Sequence, residues 1–219
     1  NYPNNPTAKI VELNFYKELV KICKKNDIWI LSDIAYSEVY FNKKPPPSIL
    51  QIKDAKKIAI EFSSMSKSHN MPGWRIGFAS GNKILISALA RIKSYLDYGA
   101  FTPIQVAAAT ALNSSQEHVS HIRKVYKNRR DVLIESMKRV GWDISKPEAT
   151  MFAWAPIPKK YLGKGSIYFS KVLLKKASLA VSPGVGFGSY GDKHVRISLV
   201  ENEQRIRQAA RNIKNNLSF

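Results

Sequence analysis

The densest cluster of polar residues in this sequence surrounds Lys67. Residues 63–69 read Ser-Ser-Met-Ser-Lys-Ser-His, and Arg75 follows shortly after a Met-Pro-Gly turn at 71–73. A lysine amine is a nucleophile toward carbonyl groups when its surroundings favour the neutral form. Small neighbours leave room for a ligand, and hydroxyl and guanidinium groups suit an anion. The pattern therefore favours an anionic cofactor bound to Lys67 as an imine, and the alternative is an ordinary surface lysine.

Three further polar side chains belong to segments that should reach the same edge of a sheet. Asp33 ends one predicted strand and Tyr36 lies just beyond it, whereas Lys67 follows the next predicted strand. Ligands of open α/β sheets bind beyond the carboxyl ends of the strands. Asn5 precedes Pro6 in a loop that could close over this edge. We therefore expect these four side chains to converge, although Asp33 could instead cap a turn and Tyr36 could pack in the core.

The elements that must position these residues follow from the hydrophobic pattern. Helix and strand patterns alternate in the first half, which predicts an α/β layer. The second half is predicted to be α+β, so we expect two domains, residues 1–115 and residues 116–219. The predicted helices are 12–25, one starting near 102, 116–140, 166–177 and 203–217, and the predicted strands are 28–31 (buried on both faces), 57–62, 75–80, 151–155 and 194–200.

The composition is that of a globular chain with a strong positive charge. Of 219 residues 44% are hydrophobic, and the formal net charge is +19. The basic residues are scattered rather than interleaved with aromatic residues, so nucleic acid is not expected as a partner. No apolar stretch is long enough to predict a membrane span. The single cysteine, Cys23, favours the cytoplasm and is predicted to be buried on a helix face with Phe15, Leu19 and Ile22.

Four motifs together resemble one enzyme family. They are Asn5-Pro6-Thr7, residues 32–36, residues 64–67 with 73–77, and residues 194–196. In order and spacing they resemble class I/II aminotransferases of pyridoxal-phosphate fold type I. Residues 93–105 and 182–188 narrow the resemblance to bacterial glutamate–pyruvate (alanine) aminotransferases and LL-diaminopimelate aminotransferases. The resemblance covers essentially the whole chain and implies part of a large domain with a mostly parallel sheet, followed by a smaller α+β domain.

The resemblance also implies a role for each polar residue. Pyridoxal 5′-phosphate would be held by Lys67 through a Schiff base, and the freed Lys67 amine would then move the substrate's α proton. Asp33 would pair with the pyridine nitrogen, and Arg196 would clamp the substrate carboxylate. Residues 184–188 are interpreted as a loop near the substrate. Further cofactor contacts are implied for the phenolic oxygen (Asn5, Tyr36) and the phosphate (Ser64, Ser66, Arg75).

The implied activity is transfer of an amino group between an L-amino acid, of the glutamate or alanine type, and a 2-oxo acid. A homodimer is implied for the full-length protein. The chain begins without Met, inside a segment rich in Pro and Asn, so we expect a carboxyl-terminal fragment of a longer protein. Two alternatives stay open: another fold-type I enzyme, such as a lyase or decarboxylase, and an inactive truncated remnant.

Overall fold

A computed structural model describes residues 1–217 of the chain, which form two compact units. Unit 1 contains Asn1–Asn4 and Ile10–Arg123, and unit 2 contains Asn5–Lys9 and the residues from Lys124 onward. In this part of the chain, no helix combines the length and apolar character that crossing a bilayer requires.

Unit 1 places helices around a three-stranded sheet, as the alternating patterns predict. The helices predicted at 12–25 and near 102 and the three strands are confirmed, with boundaries shifted by at most two residues, whereas α3 was not predicted. The elements in chain order are α1 (Leu13–Lys25), β1 (Ile30–Asp33), β2 (Ala59–Ser64), α2 (Met65–Ser68), β3 (Gly77–Gly81), α3 (Lys83–Leu96), α4 (Thr102–Asn113) and the first part of α5 (Glu117–Arg139).

The sheet of unit 1 has the strand order β1-β2-β3. Strands β1 and β2 are parallel, with Asp33 opposite Phe62, whereas β3 runs antiparallel to β2. The prediction that the first strand is buried on both faces was wrong. Residues of β1 alternate between buried and exposed, and Leu31 is 68% exposed. This alternation is typical of a strand with one face on the core.

The core of unit 1 lies between α1 and the sheet. Cys23 is buried there, as predicted, together with Tyr16 and Val20 of the same helix. The predicted helix face was partly wrong, because Phe15 and Ile22 are exposed. The spacing 16, 20, 23 is an equally regular helical stripe, so periodicity alone did not distinguish the two faces.

A buried carboxylate connects the two parallel strands. Glu61 lies in β2, is only 5% exposed, and stands directly opposite Ser32 of β1. Its Oε2 accepts hydrogen bonds from Ser32 Oγ at 3.1 Å and from the Ile49 backbone N–H at 3.2 Å, and its Oε1 accepts one from Ser48 Oγ at 2.5 Å. Burial and the Glu61 carboxylate together raise the pKa of Tyr16 to about 12. Glu61 therefore fixes the strand register and anchors the 3₁₀ turn Ile49–Gln51.

Unit 2 has a second sheet with strand order β4-β6-β5, in which both pairs are antiparallel. Its core contains Leu133, Met137, Phe169 and Leu173, which lie on two different helices. The helices and strands predicted in this half are confirmed. Besides the rest of α5, the elements are β4 (Phe152–Pro156), α6 (Lys159–Leu162), α7 (Gly165–Ala177), β5 (Ser182–Pro183), β6 (His194–Ser198) and α8 (Glu203–Asn216).

Replacing Glu61 should destabilise the protein, because three donors, two of them buried, would lose their acceptor. We expect Glu61→Ala to lower the free energy of unfolding by about 3 kcal/mol. Glu18→Ala, which removes an exposed carboxylate from α1, should change it by less than about 0.5 kcal/mol. Urea unfolding of both variants beside the wild type measures the difference, and equal midpoints would show that Glu61 is not a structural anchor.

Candidate active site

Lys67 lies in the short helix α2, which begins where β2 ends. Ser64 caps this helix, and its Oγ accepts a hydrogen bond from the Ser66 backbone N–H at 3.2 Å. Met65 is buried, and its backbone N–H donates to the Ile76 carbonyl, which ties the helix to the chain entering β3. The Nζ atom of Lys67 stands 5.4 Å from the centre of the Tyr36 ring, within the range of a cation–π contact.

Asp33 is the last residue of β1, beside the strand that leads into α2. Its Oδ1 accepts a hydrogen bond from the Ala35 backbone N–H at 3.0 Å, so this carboxylate is held at the strand end. Because β1 and β2 are parallel, both chains leave the sheet at the same edge. The structure thus brings Tyr36 against Lys67 and places Asp33 at the edge of the sheet from which α2 continues.

Ser66 and Arg75, both expected near a phosphate, occupy different surroundings. Ser66 is half-buried in α2, next to Lys67. Arg75 is exposed, has a left-handed backbone with φ +50°, and donates from Nη1 to the Pro72 carbonyl at 2.9 Å. The phosphate role of these residues and of Ser64 stays a prediction.

Helix α5 contributes contacts that the sequence patterns did not predict. Arg123 donates from Nε to the Glu38 carbonyl and from Nη2 to the Glu38 carboxylate, each at 3.0 Å, and its guanidinium lies 4.0 Å from the Tyr40 ring centre. Arg123 thereby holds the segment that follows Asp33 and Tyr36. It is 85 residues from Glu38 in the sequence, so no local pattern could have indicated the pair.

The turn after Lys67 also contacts α5. The rings of His69 and His118 lie 5.0 Å apart, and Ser68 Oγ is 2.8 Å from His69 Nδ1. Burial, and to a smaller extent the neighbouring His118, lower the pKa of His69. Within residues 1–217, no three His, Cys, Asp or Glu side chains are grouped so that they could hold a metal ion.

Arg196 is the central polar residue of unit 2. It lies in β6, donates from Nη1 to Asn5 Oδ1 at 2.7 Å, and donates from Nη2 to Ser182 Oγ at 3.2 Å. Its guanidinium lies 4.2 Å from the Phe152 ring centre and 4.7 Å from that of Phe187. Asn5, predicted at the sheet edge with Asp33, belongs to this cluster, and its peptide bond to Pro6 is cis. Its cofactor role stays a prediction.

Comparison with known proteins identifies the family. The model for aminotransferase class I and II matches residues 1–213. AatC of Rhizobium meliloti is 58% identical over the whole of this chain, which covers 54% of AatC. The glutamate–pyruvate aminotransferase AlaC of Escherichia coli is 52% identical over 97% of the chain, which covers 52% of AlaC. The chain thus spans about half the length of the curated relatives it matches.

Solved structures agree with this assignment. The substrate-bound structure of BacF from Bacillus subtilis matches with a TM-score of 0.95 and 38% identity, covering all of this chain and 56% of BacF. The predicted partial fold type I architecture is therefore confirmed. On these grounds the chain belongs to the class I and II aminotransferase family.

Proposed function

We propose that the protein containing this chain transfers an amino group between an L-amino acid and a 2-oxo acid, with Lys67 as the residue that binds the cofactor covalently. The observation that carries the proposal is the position of Lys67 directly after β2, with its amine over the Tyr36 ring and Asp33 at the end of the neighbouring parallel strand.

The family depends on pyridoxal 5′-phosphate, and the side chains of unit 1 fit this group. The cofactor has an aldehyde, a basic ring nitrogen, a phenolic oxygen and a phosphate. Unit 1 offers an amine, a carboxylate, a phenol, two hydroxyls and a guanidinium on segments that leave or enter one sheet. These are Lys67 for the aldehyde, Asp33 for the nitrogen, Tyr36 for the phenolic oxygen, and Ser64, Ser66 and Arg75 for the phosphate.

Lys67 and Asp33 would perform the proton chemistry. When bound, pyridoxal 5′-phosphate supplies an aldehyde for covalent attachment and a ring that withdraws electrons from a neighbouring carbon. With its amine free, Lys67 would take the proton from the substrate α carbon. The Asp33 carboxylate would hold a proton on the pyridine nitrogen, which increases the electron demand of the ring. The Ala35 N–H bond keeps this carboxylate oriented before the cofactor arrives.

Unit 2 would supply the substrate contact. A guanidinium binds a carboxylate through two parallel hydrogen bonds, and Arg196 is already oriented by Ser182, Asn5 and two aromatic rings. Asn5, besides contacting Arg196, would donate to the cofactor's phenolic oxygen. Similarity to AlaC, a glutamate–pyruvate aminotransferase, supports substrates of the glutamate and alanine type. The proposal includes a homodimer and a cytoplasmic location for the full-length protein.

The first test is covalent attachment of the cofactor. We expect borohydride reduction of the full-length protein with pyridoxal 5′-phosphate to leave a pyridoxyl group on the peptide containing Lys67. Lys67→Ala should abolish this label, whereas Lys56→Ala, which removes an exposed lysine, should keep it. Peptide mass spectrometry reads the result. A label that survives in Lys67→Ala would contradict the assignment.

The reaction class is read from the same preparation. With glutamate and no acceptor, an aminotransferase releases one equivalent of 2-oxoglutarate and no ammonia or carbon dioxide. Ammonia would indicate a lyase and carbon dioxide a decarboxylase, and the absence of all three products would contradict transamination of glutamate.

Asp33→Asn should affect the chemical step more than binding. The neutral amide cannot hold the ring proton by charge, so we expect kcat to fall by about a hundredfold or more. The substrate KM should change little. Asp27→Asn makes the same chemical change at an exposed turn with φ +53°, a conformation that asparagine tolerates, and should leave both constants unchanged. Equal kcat values for the two variants would exclude the role of Asp33.

Arg196→Lys should weaken substrate binding. Lysine keeps the charge but cannot form the paired hydrogen bonds, so the KM of the amino acid and of the 2-oxo acid should both rise about tenfold or more. Arg207→Lys changes an exposed arginine of α8 and serves as the control. Steady-state kinetics with both substrates tests this, and an unchanged KM in Arg196→Lys would place the carboxylate site elsewhere.

A further inference from the structure

The turn formed by residues 184–191 is closed at its base by two glycines. A Cβ atom on Gly184 would lie 2.0 Å from the Gly191 carbonyl oxygen, and one on Gly191 would lie 2.1 Å from the Gly184 oxygen. Only glycine permits this approach of the two backbones. Within the turn, the Gly188 N–H donates to the Val185 carbonyl and the Gly191 N–H donates to the Gly188 carbonyl. The 184–191 turn is therefore a compact unit with fixed ends.

A buried serine connects this turn to helix α7. Ser166 is fully buried, and its Oγ donates to Asp192 Oδ1 at 2.7 Å while accepting from the Val185 N–H at 3.1 Å. The Ser166 backbone N–H donates to the same carboxylate oxygen at 2.9 Å. These two Ser166 bonds lower the pKa of Asp192. The Ser166 hydroxyl thus links Asp192, which follows the turn, to Val185, which lies within it.

The neighbouring glycine permits this contact. Gly165 has φ +76°, and a Cβ atom there would lie 2.9 Å from Asp192 Oδ2. Any other residue would be strained by its backbone conformation and would crowd the carboxylate. The local sequence of α7 is therefore suited to holding Asp192.

The 184–191 turn carries Phe187 to the guanidinium of Arg196. The Phe187 ring centre is 4.7 Å from the guanidinium carbon, and the rings of Phe187 and Trp154 are nearly perpendicular, with their centres 5.9 Å apart. Phe152 contacts the same guanidinium at 4.2 Å. Two aromatic rings therefore restrict the direction in which the arginine fork can point.

We propose that Ser166 and Asp192 are positioning residues for the binding of the substrate carboxylate, acting through Phe187 on Arg196. This inference rests on the proposed role of Arg196. A guanidinium that is oriented before the ligand arrives loses less side-chain entropy on binding. Without the Ser166 hydroxyl, the 184–191 turn loses one tie near each end, and without the Asp192 carboxylate it loses the tie that follows residue 191. In either case Phe187 no longer restrains the arginine.

The ligand for the test is propanoate, which has a carboxylate but no amine and cannot react. Its dissociation constant is measured by calorimetry on the full-length protein loaded with cofactor. We expect Ser166→Ala and Asp192→Ala each to weaken binding about threefold to tenfold, the effect of losing one pre-ordered side chain. Ser170→Ala is the matched control, because it removes from the same helix a buried hydroxyl that has no hydrogen-bond partner in the described structure. It should bind propanoate like the wild type.

A double-mutant cycle separates this role from a general loss of stability. Phe187→Leu should weaken propanoate binding by itself, and adding Ser166→Ala should weaken it no further, because both changes remove the same restraint. Fully additive losses of propanoate affinity in the double mutant would overturn the inference. It would also be overturned if Ser166→Ala and Asp192→Ala lowered the melting temperature but left propanoate binding unchanged.

The two proposals fail in different ways. A wild-type protein that binds propanoate but is not labelled at Lys67 and releases no 2-oxoglutarate would contradict the proposed function alone. If the wild-type protein transfers the amine, but Ser166→Ala and Asp192→Ala bind propanoate as tightly as the wild type, only the inference is overturned. A wild-type protein that does not bind propanoate would also overturn the inference.

Discussion

The register between β1 and β2 is the constraint on which the candidate site in unit 1 depends. Side chains alternate between the two faces of a strand, so a slip of one residue would turn Asp33 to the opposite face. The register is fixed by the apolar residues of β2 and by the buried bond between Ser32 and Glu61, which stand directly opposite each other. A buried carboxylate is costly unless its oxygens are satisfied, and three donors satisfy this one. The cost of burying the Glu61 carboxylate is compensated only when β1 and β2 pair in the observed register. Glu61 therefore favours this register over one shifted by a residue.

Much of this organisation could be predicted because it is local. Lys67, Ser64 and Asp33 were recognisable from short motifs and from their positions after apolar runs. The helices were recognisable from apolar residues that recur every three or four positions. Glu61 was missed although a signal existed, a charged residue inside an apolar strand. The exposure of Leu31 was not predictable from its own segment, since a short apolar run does not reveal whether one or both faces are covered. The pairing of Arg123 with Glu38 and of Asn5 with Arg196 joins distant residues, and only the folded chain brings them together.

Unit 2 organises its arginine by a different principle. The guanidinium of Arg196 is bracketed by aromatic rings and by short polar side chains, an arrangement that keeps a charged group partly away from water while preserving its direction. Polar anchoring operates one layer further out, where Ser166 and Asp192 hold the 184–191 turn. In unit 1 a buried carboxylate fixes the strands that lead to Asp33 and Lys67, and in unit 2 a buried hydroxyl fixes the turn that carries Phe187 against Arg196. Sequence motifs identify reactive side chains such as Lys67 and Arg196 more readily than buried anchors such as Glu61 and Ser166. The anchors lie in ordinary strands and helices that carry no motif.

We propose that the amine of Lys67 and the carboxylate of Asp33 reach two ends of one pyridine ring. The most direct measurement is a crystal structure of the full-length protein with pyridoxal 5′-phosphate. We expect electron density continuous from Lys67 Nζ to the cofactor's aldehyde carbon, with an Asp33 carboxylate oxygen about 2.8 Å from the ring nitrogen. Density that joins the cofactor to another lysine, or a ring nitrogen that faces a group other than Asp33, would contradict it.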